Sequence, residues 1–101
     1  MLKLEIENLR KLENYGYLVN LMCGGTTTYA IINNPKGEEI FSFMKKRKED
    51  GMMITVSTPH EEIDCKMVEI SYDGEKIKVI CHEEDGNIYR IDEGREKRKL
   101  S

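Results

Sequence analysis

Cys65-Lys66-Met67-Val68-Glu69-Ile70-Ser71-Tyr72-Asp73-Gly74-Glu75-Lys76-Ile77-Lys78-Val79-Ile80-Cys81-His82-Glu83 decides the reading of this chain. Two runs of strand-forming residues flank Asp73-Gly74, a dipeptide that supplies the positive φ of a tight hairpin turn. With Tyr72 set opposite Glu75, Ile70–Ile77, Val68–Val79 and Lys66–Cys81 share one face. Ser71–Lys76, Glu69–Lys78 and Met67–Ile80 share the other. One face is then apolar and the other carries a Glu–Lys cross-strand pair. A slip of one residue would exchange the faces, so the pattern fixes the register.

The next turn is read the same way. A two-residue Asp85-Gly86 loop would put Arg90 opposite Cys81 and Asp92 opposite Val79, spoiling the apolar face. A three-residue Glu84-Asp85-Gly86 loop pairs Tyr89 with Cys81, Ile91 with Val79 and Asp92 with Lys78. The second keeps apolar against apolar and requires Gly86 in the left-handed region. The C-terminal part is therefore a three-stranded meander. Val68, Ile70, Tyr72, Ile77, Val79, Cys81, Tyr89 and Ile91 form its buried face.

Upstream, Tyr17 to Cys23 and Thr26 to Ile32 flank Gly24-Gly25 and read as a second hairpin. Leu2, Leu4 and Ile6 alternate with charged residues in the period of a strand. Leu2, Ile6 and Leu9 also fit a helix. Ile40, Phe43, Met44 and Arg47 fall at helical spacing. Glu38 and Glu39 lie in the first turn of that segment and Lys45 to Lys48 near its last, the polarity a helix dipole favours. The spacing predicts a central helix over about 38–50, stopped by Gly51, and then a strand from Met52 to Thr58. The expected class is α+β: an antiparallel sheet with an N-terminal strand and hairpin, one helix, a strand and the meander. Residues 1–93 are expected to form one domain, and 94–101 a basic, flexible tail.

The chain has 101 residues, enough for one core. Residues 1–51 carry a net charge of +1, residues 52–93 a net −7 and residues 94–101 a net +3. Met1 to Glu7 alternates charged and apolar residues, unlike a leader peptide, and no apolar run approaches the length of a membrane span. Three widely spaced cysteines, Cys23, Cys65 and Cys81, imply reduced thiols and a cytoplasmic setting. Ala30 is the only alanine and Gln and Trp are absent, a usage associated with AT-rich genomes such as low-GC bacteria or their phages.

Neighbouring strand residues diverge, so Cys81 and His82 do not converge as a catalytic pair, and Cys65 is expected on the face opposite Cys81. No Cys-x-x-Cys or His-x-x-x-His spacing occurs, so no metal and no cofactor is expected. Gly24-Gly25-Thr26 precedes a strand rather than a helix, which favours a turn over a phosphate loop. The methionines Met22, Met44, Met53 and Met67 read as core filler.

Two acidic clusters remain: Glu61, Glu62 and Asp64, and Glu83, Glu84 and Asp85. They suggest a rim that docks on a basic protein surface. The function expected is therefore a non-enzymatic binding protein. One form would be a phage-type inhibitor that occupies the groove of a nucleic-acid-binding defence protein by charge mimicry. The alternative is a nucleic-acid-binding regulatory domain. It would use the basic helix end, Lys45, Lys46, Arg47 and Lys48, and the tail residues Arg95, Lys97, Arg98 and Lys99. A net negative charge disfavours it. A nucleotide-like ligand at the Gly24-Gly25 turn is a third reading. Exposed strand edges would allow a homodimer.

Overall fold

In the computed structural model, which describes residues 2–93 and 97–100, the chain forms two five-stranded antiparallel sheets and one short helix. The first sheet contains β1 (Leu2–Leu4), β7 (Met67–Tyr72), β8 (Ile77–His82), β9 (Ile88–Asp92) and β10 (Arg98–Lys99), in that spatial order. The second runs β2 (Leu18–Gly24), β3 (Thr27–Asn33), β4 (Glu39–Lys48), β5 (Gly51–Ser57) and β6 (Glu62–Cys65), each paired with its neighbour in sequence. A 3₁₀ helix over Ile6–Tyr15 carries the chain from the first sheet to the second.

That helix resolves the ambiguity at the N-terminus, because both periods are used in turn. Leu2–Leu4 is a strand, pairing Leu2 with Tyr72 and Leu4 with Ile70. Ile6, Leu9 and Leu12 then recur every third residue. A helix with three residues per turn stacks them on one side, and all three are buried.

The mixed α+β class holds, but the helix does not lie over 38–50. That segment is β4, the central strand of the second sheet, paired with β3 through Phe43↔Ala30 and with β5 through Phe43↔Val56. Phe41 and Phe43 are fully buried and Ser42 and Met44 half-buried, which is the alternation of a strand. The acidic start and basic end that suggested a helix dipole contribute only about 0.3–1 kcal/mol each. Two flanking ladders and a buried Phe pair outweigh them. Gly51, at φ +136, pairs with Lys48 across the two-residue Glu49-Asp50 turn, so it opens β5 rather than ending a helix.

The meander is present as β7-β8-β9. Its second turn has the expected register: Cys81↔Tyr89, Val79↔Ile91 and Lys78↔Asp92, with Gly86 at φ +97. Its first turn is longer than expected. Tyr72 pairs with Ile77, Ile70 with Val79 and Val68 with Cys81, so the loop is Asp73 to Lys76 and not Asp73-Gly74 alone. The Asp73 carboxylate accepts the N–H groups of Glu75 at 2.9 Å and Lys76 at 3.0 Å, which closes the wider loop. The shift is two residues, an even number, so each residue keeps its face.

The two sheets and the helix bury one continuous core, from Leu4, Leu9 and Leu12 through Phe41 and Phe43 to Val79 and Ile91. Among the described residues no polar or charged side chain is buried.

Cys65 and Cys81 are not free thiols. They form a disulfide between β6 and β8, with Cα atoms 5.5 Å apart, and so link the two sheets. Cys65 was expected on the opposite face because one continuous strand was assumed from 65 to 72. The chain instead leaves the second sheet at Lys66, whose N–H donates to the His82 carbonyl, and enters the first. Alternation restarts there, and Cys65 turns inward. Cys23 is free and exposed. In the tail, Arg98 and Lys99 pair with Arg90 and Tyr89 as β10, and the Leu100 N–H donates to the Ile88 carbonyl. Arg95 lies outside the described residues.

Candidate functional site

The six acidic residues occupy different settings. Glu62 and Asp64 stand two apart on β6 with their side chains on the outer face of the second sheet. Ser57 Oγ donates to Glu62 at 3.3 Å and Thr55 Oγ1 to Asp64 at 2.8 Å. Glu61 turns away from them, accepting the Lys97 N–H at 3.0 Å with Lys97 Nζ at 4.0 Å. Glu83, Glu84 and Asp85 form the β8–β9 turn of the other sheet. Asp85 folds back on Asn87, accepting its backbone N–H at 3.1 Å and its side-chain amide at 3.0 Å. Glu84 lines a cavity of about 300 Å³ with Lys48 and Lys66. The disulfide ties the two segments together, but only Glu62 and Asp64 share a face.

The basic run is part of β4 rather than a helix end, so its charges divide. Lys45 bonds to Glu7 on the 3₁₀ helix and holds that carboxyl below its usual range. Lys46 points to the outer face, opposite Thr27 and Met53. Arg47 lines an open cavity of about 220 Å³ with Gly25, Thr26 and Thr28. The four cations are consecutive residues. On a strand they face two ways.

The outer faces of the two sheets differ in kind. On the first, most charges are paired: Glu69 lies 3.2 Å from Lys3 and 2.9 Å from His82, and Arg90 grips Asp92 at 2.9 Å and 3.0 Å, while Arg98, opposite Arg90, has no ion pair among the described residues. The His82 hydrogen bond, then that of Lys3, lowers the Glu69 pKa, and Arg90 lowers that of Asp92. This is an ordinary solvated face.

The second sheet presents something else. One cross-strand row runs Met22↔Tyr29↔Met44↔Thr55↔Asp64 over five strands. The adjacent row runs Asn20↔Ile31↔Ser42↔Ser57↔Glu62. Each begins with uncharged or apolar residues at the β2 edge, passes through a hydroxyl on β5 and ends on an acid at the β6 edge. Leu18 and Met22 are 56% and 58% exposed, the largest values for large hydrophobics among the described residues. Within both rows the acids are the only charged residues. Met22 and Met67, expected in the core, are therefore surface residues; Met44 and Met53 are half-buried.

The sequence held a signal for this face that the expected helix concealed. With 39–48 placed as a strand, alternation alone would have aligned Met44 with Tyr29 and Met22 on the side opposite Phe43. Among the described residues, no group of three or more His, Cys, Asp or Glu side chains is arranged to hold a metal ion, and no helix is long and apolar enough to cross a membrane. Comparison with known proteins gave no matching family model, no similar curated protein and no similar solved structure.

Proposed function

We propose that the protein is a non-enzymatic binding protein that docks on a basic protein surface through the outer face of the β2–β6 sheet. The observation that supports this is the pair of rows graded from uncharged side chains, Met22 and Asn20, at the β2 edge to Asp64 and Glu62 at the β6 edge. Met22, Tyr29 and Met44 lie side by side on this face, and methionine suits an adaptable contact. Five strands about 4.8 Å apart and about seven residues long span roughly 600 Å², near one partner's share of a small interface. Burial of Met22, Tyr29 and Met44 would supply affinity, while the two carboxylates would steer a partner whose contact patch is rimmed by Lys or Arg. In its inhibitor form, the protein would compete with nucleic acid for the partner's basic groove.

The test is capture of partners from a lysate of the source cells on immobilised wild-type protein and on two variants. Met22→Glu places a charge at an exposed apolar position, and Glu62→Lys/Asp64→Lys reverses the acidic edge. The expected result is a captured basic protein that both variants lose, and that nucleic acid displaces in the inhibitor form. Equal capture by all three proteins contradicts the assignment of this face.

A further inference from the structure

Tyr15 and Tyr17, two residues apart, meet Tyr72 of the first sheet at an open cavity of about 440 Å³. Tyr15 ends the 3₁₀ helix, Tyr17 precedes β2 and Tyr72 ends β7. The Tyr15 and Tyr72 rings are 4.5 Å apart at 35°, and Tyr17 meets Tyr72 edge-on at 5.8 Å and 82°. Tyr17 and Tyr72 are buried, whereas Tyr15 is 46% exposed. The pair thus presents a supported aromatic surface to solvent.

The rest of the cavity wall is polar and fixed. The Tyr17 hydroxyl donates to Glu93 Oε1 at 2.5 Å, and the same oxygen accepts the Ile77 N–H at 2.8 Å. Glu93 is the only described residue other than glycine with positive φ, at 50°. A non-glycine residue held there costs energy, and such residues concentrate at binding sites. Burial raises the Tyr17 pKa above its usual value, with Glu93 adding to the effect, so the phenol stays protonated and keeps its place.

Two lysines stand at this wall with charge to spare. Lys36 forms no ion pair among the described residues. Lys76 lies 3.9 Å from Asp92, whose nearer partner is Arg90 at 2.9 Å. Glu75 lines the same cavity and has no hydrogen-bonded side-chain partner among the described residues. A flat stacking surface, two available ammonium groups and a carboxylate acceptor form a mixed set. A purely apolar ligand would leave the charges unused, and a simple anion would leave the tyrosines unused.

We propose that this cleft binds a nucleoside phosphate, with the base stacked on Tyr15, the phosphate held by Lys36 and Lys76, and a ribose hydroxyl donating to Glu75. Base stacking on an aromatic side chain is insensitive to sequence, lysine contacts phosphate as a point charge, and the cavity is in the size range of small-ligand sites. A free nucleotide and the end of a single strand share this chemistry.

The test is an NMR titration of the tyrosine ring signals with adenosine 5′-monophosphate, adenosine and ribose 5-phosphate. The nucleotide is expected to shift Tyr15 and Tyr72 saturably and to bind more tightly than either fragment. Tyr15→Ala should weaken nucleotide binding about tenfold or more, the scale of one stacked base, and Tyr15→Phe should retain it. Lys36→Ala/Lys76→Ala should lower nucleotide affinity to that of adenosine and leave adenosine binding unchanged. A single-stranded adenylate hexamer that binds more tightly than the mononucleotide assigns the site to strands; equal binding assigns it to free nucleotides. The absence of a saturable nucleotide shift overturns the proposal. So does ribose 5-phosphate binding as tightly as the nucleotide, or unchanged affinity in Tyr15→Ala.

Discussion

Asp73 shows how much one side chain sets at the residue scale. Its carboxylate accepts two backbone N–H groups of its own turn and lies 3.2 Å from Lys78 Nζ. The Lys76 and Glu75 amides, then Lys78, hold its pKa well below the usual carboxylate range. A carboxyl whose pKa is lower folded than unfolded adds stability above its unfolded pKa, near 3.9, and loses it as pH falls toward the folded value. Glu7, Glu69 and Asp92 are lowered too, so the melting temperature should be level near neutrality and fall steadily below about pH 4. Asp73→Asn keeps an acceptor oxygen but removes the charge. It should lower the melting temperature at pH 7 and flatten the acid decline; an unchanged pH profile would refute the linkage. The disulfide is equally local in its test. Titration of the denatured, unreduced protein should find one thiol, Cys23, rather than three. Replacing Cys65 and Cys81 by Ala should cost about 3 kcal/mol, the value for a loop of this length. Three reactive thiols would overturn the bond.

At the scale of elements, what the sequence made legible was whatever turn chemistry and strand alternation fixed together. The β8–β9 register followed from one criterion, apolar against apolar, because Gly86 permits a single three-residue turn. The β7–β8 register differs by two residues from the expected one because Asp73 can cap either a two-residue or a four-residue loop. No pattern in the side chains distinguishes these, since both preserve the faces. Residues 39–48 form a strand where a helix was expected because Ile40, Phe43 and Met44 satisfy a helical stripe, while Phe41 and Phe43 satisfy strand alternation. Only the neighbours β3 and β5 break the tie, and they lie elsewhere in the sequence. The two structures predict different mutational patterns. In a helix, positions 43 and 44 would both face the core, whereas in β4 only Phe43 is fully buried. Phe43→Ala should cost about 3–5 kcal/mol, and Met44→Ala less than about 1.5 kcal/mol because its site is half-solvated. Denaturant unfolding measures both, and equal costs would contradict the strand. The sheet switch at Lys66, which brings Cys65 to Cys81, also had no local signal: a single lysine between two strand-like runs looks like continuous strand.

At the scale of the whole molecule, the fold buries one core and leaves two unlike outer faces. Lys3, Glu69, His82, Arg90 and Asp92 of the first sheet are paired within that sheet. The second sheet grades from Leu18 and Met22 to Glu62 and Asp64 and has no counterpart within the chain. Of the acidic residues legible as candidates in the sequence, these last two end the two rows of that face, because a strand places i and i+2 on one side. Glu61 and Asp85 are engaged by Lys97 and Asn87, interactions that depend on folded loops and leave no trace in the composition. The measurement that bears most directly on the proposed docking face is surface plasmon resonance of the captured partner with wild-type protein, Glu62→Lys/Asp64→Lys and Met22→Glu at low and high salt. The account predicts slower association for the charge reversal, with a difference that shrinks as salt rises, and faster dissociation for Met22→Glu at either salt concentration. Unchanged rates for both variants at low salt would contradict it.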